Sequence, residues 1–166
     1  MKIPVFVSCP AALSPSQQGV RDLIEEQLNE VGFEPRTIGR SDYPTDFPLR
    51  EVLVAARHCS GGVVLGFSQL SVEKGISKAG TSEEGIIAGK AFASPWNQIE
   101  AGILFAVRLP LLVFRELGLE GGIFDLGSSD LFLQTMPTSR PLASSRELRD
   151  VILKWGGKVR EHYNSV

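Results

Sequence analysis

Short apolar runs alternate along the chain with longer segments whose apolar residues recur at helical spacing. Residues 2–8, 33–38, 61–67 and 109–114 are rich in apolar, β-branched or aromatic side chains. Runs of this kind are typical of strands that are buried on both faces, as in a parallel sheet. A fifth, shorter strand is predicted at residues 131–134.

Four segments carry the signals of helices. Ser14-Pro15 and Ser94-Pro95 each combine an N-cap residue with a first-turn proline. They predict one helix that begins at Pro15 and ends at Gly32, and another over residues 96–107. Apolar residues at helical spacing predict two more helices, at residues 49–58 and 144–163.

This alternation of strands and helices predicts the fold class. It implies right-handed βαβ units and a parallel sheet with helices on both faces. About five strands in 166 residues predict a flavodoxin-like, doubly wound α/β fold with the strand order 2-1-3-4-5. Because the chain has no internal repeat and no linker, we expect one domain over residues 1–166.

Three long segments lie between the predicted elements. Residues 40–48 and 116–129 contain prolines or glycines and are predicted to be loops. Residues 68–94 carry glycines at positions 75, 80, 85 and 89, and we predict a lid, a binding loop or a mobile segment there. All three follow strands, so they border the edge of the sheet where ligands bind in open α/β folds.

Composition narrows the classes of partner and compartment. A formal net charge of −2 does not favour binding to nucleic acid, which relies on a concentrated basic surface. No apolar run approaches the roughly 20 residues that span a bilayer, so no membrane contact is expected. The chain has only two cysteines and two histidines, which are too few to suggest a metal site or a disulfide framework. We therefore expect a cytoplasmic protein without a metal site.

Glu100 is the strongest candidate for chemistry. It lies on the second turn of the predicted helix that comes after the third strand. The later residues of this helix, 101–107, are apolar or glycine. The pattern therefore predicts a buried helix with one carboxylate near its N-terminus. Helical spacing places Trp96 on the same face. An aromatic ring and a carboxylate can together hold a nucleoside, and the carboxylate can stabilise an oxocarbenium ion as an N-glycosidic bond breaks. The alternative is that Glu100 only stabilises the helix N-terminus.

Four further residues are candidates for cofactor binding at the same edge. Ser8 ends the first strand, where its hydroxyl could bind a ribose. Arg40 could bind a pyrophosphate, although an Arg40–Asp42 surface ion pair is equally consistent with the sequence. Tyr43 could form a second aromatic wall or anchor its own loop.

Two stretches resemble a known family. Ser94-Pro95-Trp96-Asn97-Gln98-Ile99-Glu100 resembles the Ser-x-Trp-Cys-x-x-Glu signature of Toll/interleukin-1 receptor (TIR) domains, and residues 5–8 (VFVS) resemble the first strand of that family. The order of elements is also similar over nearly the whole chain. Asn97 stands where the family usually has cysteine.

The resemblance implies an NAD+ nucleosidase with Glu100 as the catalytic residue, and NAD+ as substrate in place of a bound cofactor. The product would be ADP-ribose or a cyclic variant. It also implies a role in antiviral defence or signalling, and regulation by self-association or by a separate sensor protein. The loop at residues 40–48 would border the active site and form the assembly contact. Tyr43 and Phe47 are the candidate anchors of that contact, and the alternative for Phe47 is that it packs under its own loop.

Two alternatives remain open. The chain also resembles nucleoside 2-deoxyribosyltransferases, which place small and apolar residues after a nucleophilic glutamate, as in Glu100-Ala101-Gly102-Ile103. Those enzymes usually have an aspartate six residues before the glutamate, and here Ser94 stands at that position. The second alternative is a non-catalytic module of the TIR type that binds a nucleotide or a protein.

Overall fold

The computed structural model of the chain describes residues 2–38, 48–125, 127, 132–136 and 143–165, without the side chains of residues 143–145. The strands are β1 (Ile3–Ser8), β2 (Phe33–Arg36), β3 (Gly62–Gly66), β4 (Leu70–Ser77), β5 (Gly85–Phe92), β6 (Leu111–Arg115) and β7 (Phe132–Thr135). The helices are α1 (Pro15–Glu30), α2 (Pro48–Arg57), α3 (Pro95–Ala106) and α4 (Ala143–Ser165). A single turn of 3₁₀ helix occupies Gly122–Phe124.

Five of the strands form one parallel sheet in the order β2-β1-β3-β6-β7. Counted among themselves, these strands run 2-1-3-4-5, so the predicted flavodoxin-like α/β fold and its strand order are confirmed. Their carboxyl ends meet at one edge of the sheet, which we call the carboxyl edge. Within the described residues, no helix is both long and apolar enough to cross a membrane.

Helices cover both faces of this sheet, and alternate residues of each strand contribute to one core or the other. Val5 and Val7 pack in a core with α1 and α4, whereas Phe6 between them packs in a core with α2 and α3. On β6, Leu112 packs in the first of these cores and Val113 in the second. Both faces of the central strands are buried, which explains why these strands are apolar runs without alternation.

The two predicted helix starts are confirmed by their caps. The Ser14 hydroxyl accepts a hydrogen bond from the backbone N–H of Gln17, and the Gln17 side chain accepts one from the backbone N–H of Ser14, forming a capping box. The Ser94 hydroxyl accepts a hydrogen bond from the backbone N–H of Trp96. Because α1 follows β1, and Asn97 of α3 contacts Ser8 at the end of β1, both helix N-termini lie at the carboxyl edge.

The prediction of a loop at residues 68–94 is wrong. Most of this segment is an antiparallel hairpin, β4 and β5, whose pairing runs from Leu70↔Phe92 to Ser77↔Gly85. At its base, the backbone N–H of Gln69 donates to the carbonyl of Phe92, at 2.9 Å. The sequence did not predict these strands, because neither face of the ribbon is buried and its residues therefore do not alternate regularly between apolar and polar. Glycines also interrupt both strands.

Candidate functional site

Glu100 and Ser8 meet at the carboxyl edge. Ser8 is the last residue of β1, and Glu100 lies on the second turn of α3. The Ser8 hydroxyl donates a hydrogen bond to Oε2 of Glu100. Both side chains are buried, with 1% of Ser8 and 4% of Glu100 exposed. The structure thus brings together two of the residues that the sequence singled out.

Asn97 completes this hydrogen-bonded group. Its side-chain Nδ2 donates to the Ser8 hydroxyl at 2.9 Å, and the residue is fully buried. The hydroxyl has one proton and uses it to donate a hydrogen bond to the carboxylate, so it can only accept from Asn97, and the amide must turn its NH₂ group toward Ser8. The Oδ1 atom of Asn97 is buried and has no hydrogen-bond partner among the described residues. The result is a directed chain from Asn97 through Ser8 to Glu100.

The position of Glu100 on its helix explains how it comes to be buried. Asn97, Glu100, Ala101 and Leu104 are the buried residues of α3, and their spacing of three and four places them on the face toward the sheet. Because α3 begins at Pro95, Glu100 lies beyond the first turn, where the helix dipole has little effect. Helix stabilisation alone therefore does not account for a buried carboxylate at this position.

The rest of α3 differs from the prediction in one respect. The helix is not buried as a whole, because its outer face is exposed at Ile99 (42%) and Phe105 (60%). Trp96, on the first turn, is 40% exposed, and its ring N–H donates no hydrogen bond within the described residues. Trp96 is thus available at the surface, one turn before the buried carboxylate.

A second carboxylate at the same edge has a structural role. Glu116 follows β6 and accepts hydrogen bonds from Nε2 of Gln17, at 3.1 Å to each oxygen. It also accepts one from the backbone N–H of Ser68, at 2.5 Å. Glu116 therefore ties the first turn of α1 to the ends of β3 and β6. The sequence analysis missed this residue, since nothing in the local pattern marks it.

Gln98 fixes the loop beside the site. Its side chain donates to the carbonyl of Gly121 at 3.0 Å and accepts from the backbone N–H of Ile123 at 3.1 Å. Gly122, between them, has φ +61°, and a Cβ there would clash with the Gln98 amide. Asn97 and Gln98 were both missed as site residues. Only Asn97 had a usable signal, because a spacing of three places it next to Glu100 on the helix.

The remaining predicted residues cannot be placed. Arg40, Asp42, Tyr43 and Phe47 lie outside the described residues. Their roles in binding and in assembly stay predictions.

Comparison with known proteins supports the fold of the chain and nothing further. No protein-family model matches the chain, and no curated protein sequence matches it significantly. Three variants of a flavo di-iron protein from Thermotoga maritima are similar in structure, with TM-scores of 0.54, 0.53 and 0.53 and sequence identities of 13%, 13% and 14%. Each match covers 95% of this chain but only 36% of the flavo di-iron chain. At this identity the similarity shows the flavodoxin-like fold alone.

Proposed function

We propose that this chain is an NAD+ nucleosidase that breaks the bond between nicotinamide and ribose, with Glu100 as the catalytic residue. One observation carries the proposal: in the described part of the chain, Glu100 is the only buried side chain that bears a charge. Burying a carboxylate costs several kcal/mol unless hydrogen bonds compensate. A carboxylate that is buried at the ligand-binding edge of the sheet supports a chemical role.

In the proposed reaction, the electron pair of the glycosidic bond moves to the pyridinium nitrogen, and nicotinamide leaves as a neutral base. The ribose carbon gains positive charge, which the Glu100 carboxylate stabilises. The hydrogen bond from Ser8 holds one oxygen of the carboxylate and so fixes the orientation of the carboxylate before the reaction starts. Attack by water, with loss of a proton, would give ADP-ribose. Attack by a group of the substrate itself would give a cyclic product.

Trp96 is the residue that we propose for substrate contact. Its ring is 40% exposed on the first turn of α3, close in sequence to the carboxylate. A half-exposed aromatic ring can stack on a nicotinamide or adenine base. We further propose that Arg40, Asp42 and Tyr43 complete the substrate site, and that self-association through their loop regulates an activity used in antiviral defence.

The test is release of nicotinamide from NAD+ by the purified protein, measured by chromatography. We expect Glu100→Gln to lower the rate at least about 100-fold, because one preorganised charge at a transition state contributes on this scale. The matched control is Glu116→Gln, which alters a carboxylate at the same edge that is bound to Gln17 and Ser68. This variant should keep nicotinamide release.

Three outcomes would overturn the proposal. Release of base from deoxynucleosides with NAD+ intact would indicate a deoxyribosyltransferase. Equal loss of activity in both variants would mean that any damage to this edge stops the reaction. Full activity of a folded Glu100→Gln protein would remove Glu100 from the mechanism.

A further inference from the structure

A cleft of about 450 Å³ lies at the edge of the sheet opposite to Glu100. It is bounded by the end of α3, the start of β6, the start of β7 and one residue of α4. Phe105, Leu109 and Phe132 contribute apolar walls. Its volume is within the range of about 300–1,000 Å³ that is usual for small-molecule sites.

Two cations border this cleft, and neither has a carboxylate partner among the residues that the structure describes. Arg108 and Lys158 are both lining residues, and none of the described residues that line the cleft is acidic. Within the described part of the chain, neither side chain forms a hydrogen bond or an ion pair. The Lys158 ammonium lies 5.1 Å from the centroid of the Phe132 ring, so it faces the apolar wall. Apolar walls with two cations complement an anion that has an apolar body.

The backbone at Arg108 gives independent support. The residue has φ +60°, in the left-handed region that favours glycine. It follows the C-cap of α3, and its N–H donates to the carbonyl of Phe105 at 2.9 Å while that of Leu109 donates to Leu104 at 3.2 Å. These are the hydrogen bonds of a Schellman motif, in which glycine is the usual residue.

The end of α1 shows the less strained alternative. There, Gly32 occupies the corresponding position with φ +92°. At the end of α3 an arginine takes this conformation, although its Cβ makes the left-handed region unfavourable. Residues held in such conformations often serve a functional site. In this case the strained residue carries one of the two cations of the cleft.

We propose that this cleft binds a small amphipathic anion, whose head group contacts Arg108 and Lys158 and whose apolar body lies between Phe105 and Phe132. The site is separate from Glu100, because α3 carries the carboxylate near its start and the cleft at its end. Failure of nicotinamide release would therefore not bear on this proposal.

The probe is decanoate, used below the concentration at which it forms micelles, with decanol as the neutral analogue of the same chain length. Calorimetry should show that decanoate binds at least about tenfold more tightly than decanol, since a charge-assisted pair discriminates on this scale. In NMR spectra, the amide shifts should centre on residues 105–111, Phe132 and Lys158.

Variants separate the two cations from general surface charge. The double variant Arg108→Gln/Lys158→Gln should bind decanoate at least about tenfold more weakly and lose the preference over decanol. Lys154→Gln, on the same helix but outside the lining of the cleft, should bind decanoate as the unaltered protein does. Arg108→Gly should weaken binding without lowering the melting temperature, because glycine relieves the backbone strain.

Several results would overturn the inference. These are no binding of decanoate at millimolar concentration, equal binding by the double variant, or shifts centred on the Glu100 edge. Binding to vesicles of phosphatidylglycerol without binding of monomeric decanoate would indicate a membrane surface as the ligand, and it would also contradict the proposed site.

Discussion

Asn97 donates a hydrogen bond of 2.9 Å to the hydroxyl of Ser8, a residue 89 positions earlier in the chain. This contact joins the end of β1 to the first part of α3 and supports the hydroxyl that binds Glu100. The same amide leaves its Oδ1 atom buried without a partner among the described residues. A buried polar atom of this kind costs about 1–3 kcal/mol. The site therefore keeps a polar group at a cost to stability.

We expect Asn97→Leu to separate stability from activity. Leucine has the same number and branching of side-chain heavy atoms and removes the unpartnered oxygen, so the melting temperature should hold or rise. Nicotinamide release should fall about tenfold, because Ser8 loses the donor that orients its hydroxyl toward Glu100. Thermal unfolding and the nicotinamide assay measure the two effects. A variant that loses stability but keeps its activity per folded molecule would show that the amide is only structural.

Removal of the Ser8 hydroxyl should have a narrower effect. Ser8→Ala deletes the donor to Glu100 and leaves Asn97 without its acceptor. If the hydroxyl acts by orienting the proposed catalytic carboxylate, kcat should fall about tenfold or more with little change in KM. Steady-state kinetics decide the point. A rise in KM at constant kcat would instead place Ser8 in direct contact with the substrate.

Two glycines should respond to alanine in opposite directions. A Cβ at Gly61 would lie 2.7 Å from Val159 and 2.8 Å from Trp155, both of which are fully buried. Gly61→Ala should therefore lower the free energy of unfolding by about 1–3 kcal/mol. A Cβ at Gly102 would meet no atom within 4 Å, so Gly102→Ala on the exposed face of α3 should raise it by about 0.5–1 kcal/mol. Chemical denaturation measures both changes, and equal effects would contradict the packing described.

Cys59 should make stability depend on alkaline pH. Burial raises the pKa of its thiol from the ordinary value of 9.0 to about 11. Between pH 9 and pH 11 the unfolded chain loses this proton while the folded protein keeps it, so the free energy of unfolding falls as the pH rises. Denaturation at several pH values, compared with Cys59→Ala, isolates the effect. An identical pH dependence in the two proteins would mean that the thiol ionises equally in both states.

The hairpin should exchange its amide hydrogens at an intermediate rate. Amides that pair β4 with β5 are hydrogen-bonded, but the ribbon is exposed at residues such as Ile76 (63%) and Ile86 (74%). We therefore expect protection above that of a free chain and below that of β3, which is buried throughout. Hydrogen exchange with mass spectrometry tests this order. Exchange at the rate of an unstructured peptide would mean that the hairpin does not persist in solution.

The sequence predicted the central sheet well because burial on both faces leaves a clear signal. Residues 61–67 are entirely apolar or glycine, and the strand found there, β3, is buried throughout. The serine–proline pairs marked two helix starts for the same local reason: capping depends on neighbouring residues alone. The sequence alone was thus sufficient to predict strands that are wholly apolar and helix starts that depend on neighbouring residues.

The contacts between side chains of the candidate site could not be predicted from the sequence. The sequence singled out Glu100 from its helix and from its resemblance to a signature, but the hydrogen-bond partner of this side chain, Ser8, is 92 positions away. Glu116 and Gln17, which are 99 positions apart, show the same difficulty. Such pairs depend on how strands and helices meet in space. The hairpin was missed for another reason, since a two-stranded ribbon has no core to leave a pattern in its sequence.

The hairpin also bears on how such a domain can vary in length. Its first and last residues, Leu70 and Phe92, are directly paired, so the chain leaves the sheet and returns to nearly the same point. Paired residues in an antiparallel ribbon lie only about 5 Å apart, a gap that a tight turn can close. An insertion with adjacent ends can be lengthened, shortened or exchanged between proteins without moving β3 or α3. We therefore expect changes in the length of the segment that precedes Glu100 to leave the position of the carboxylate unchanged.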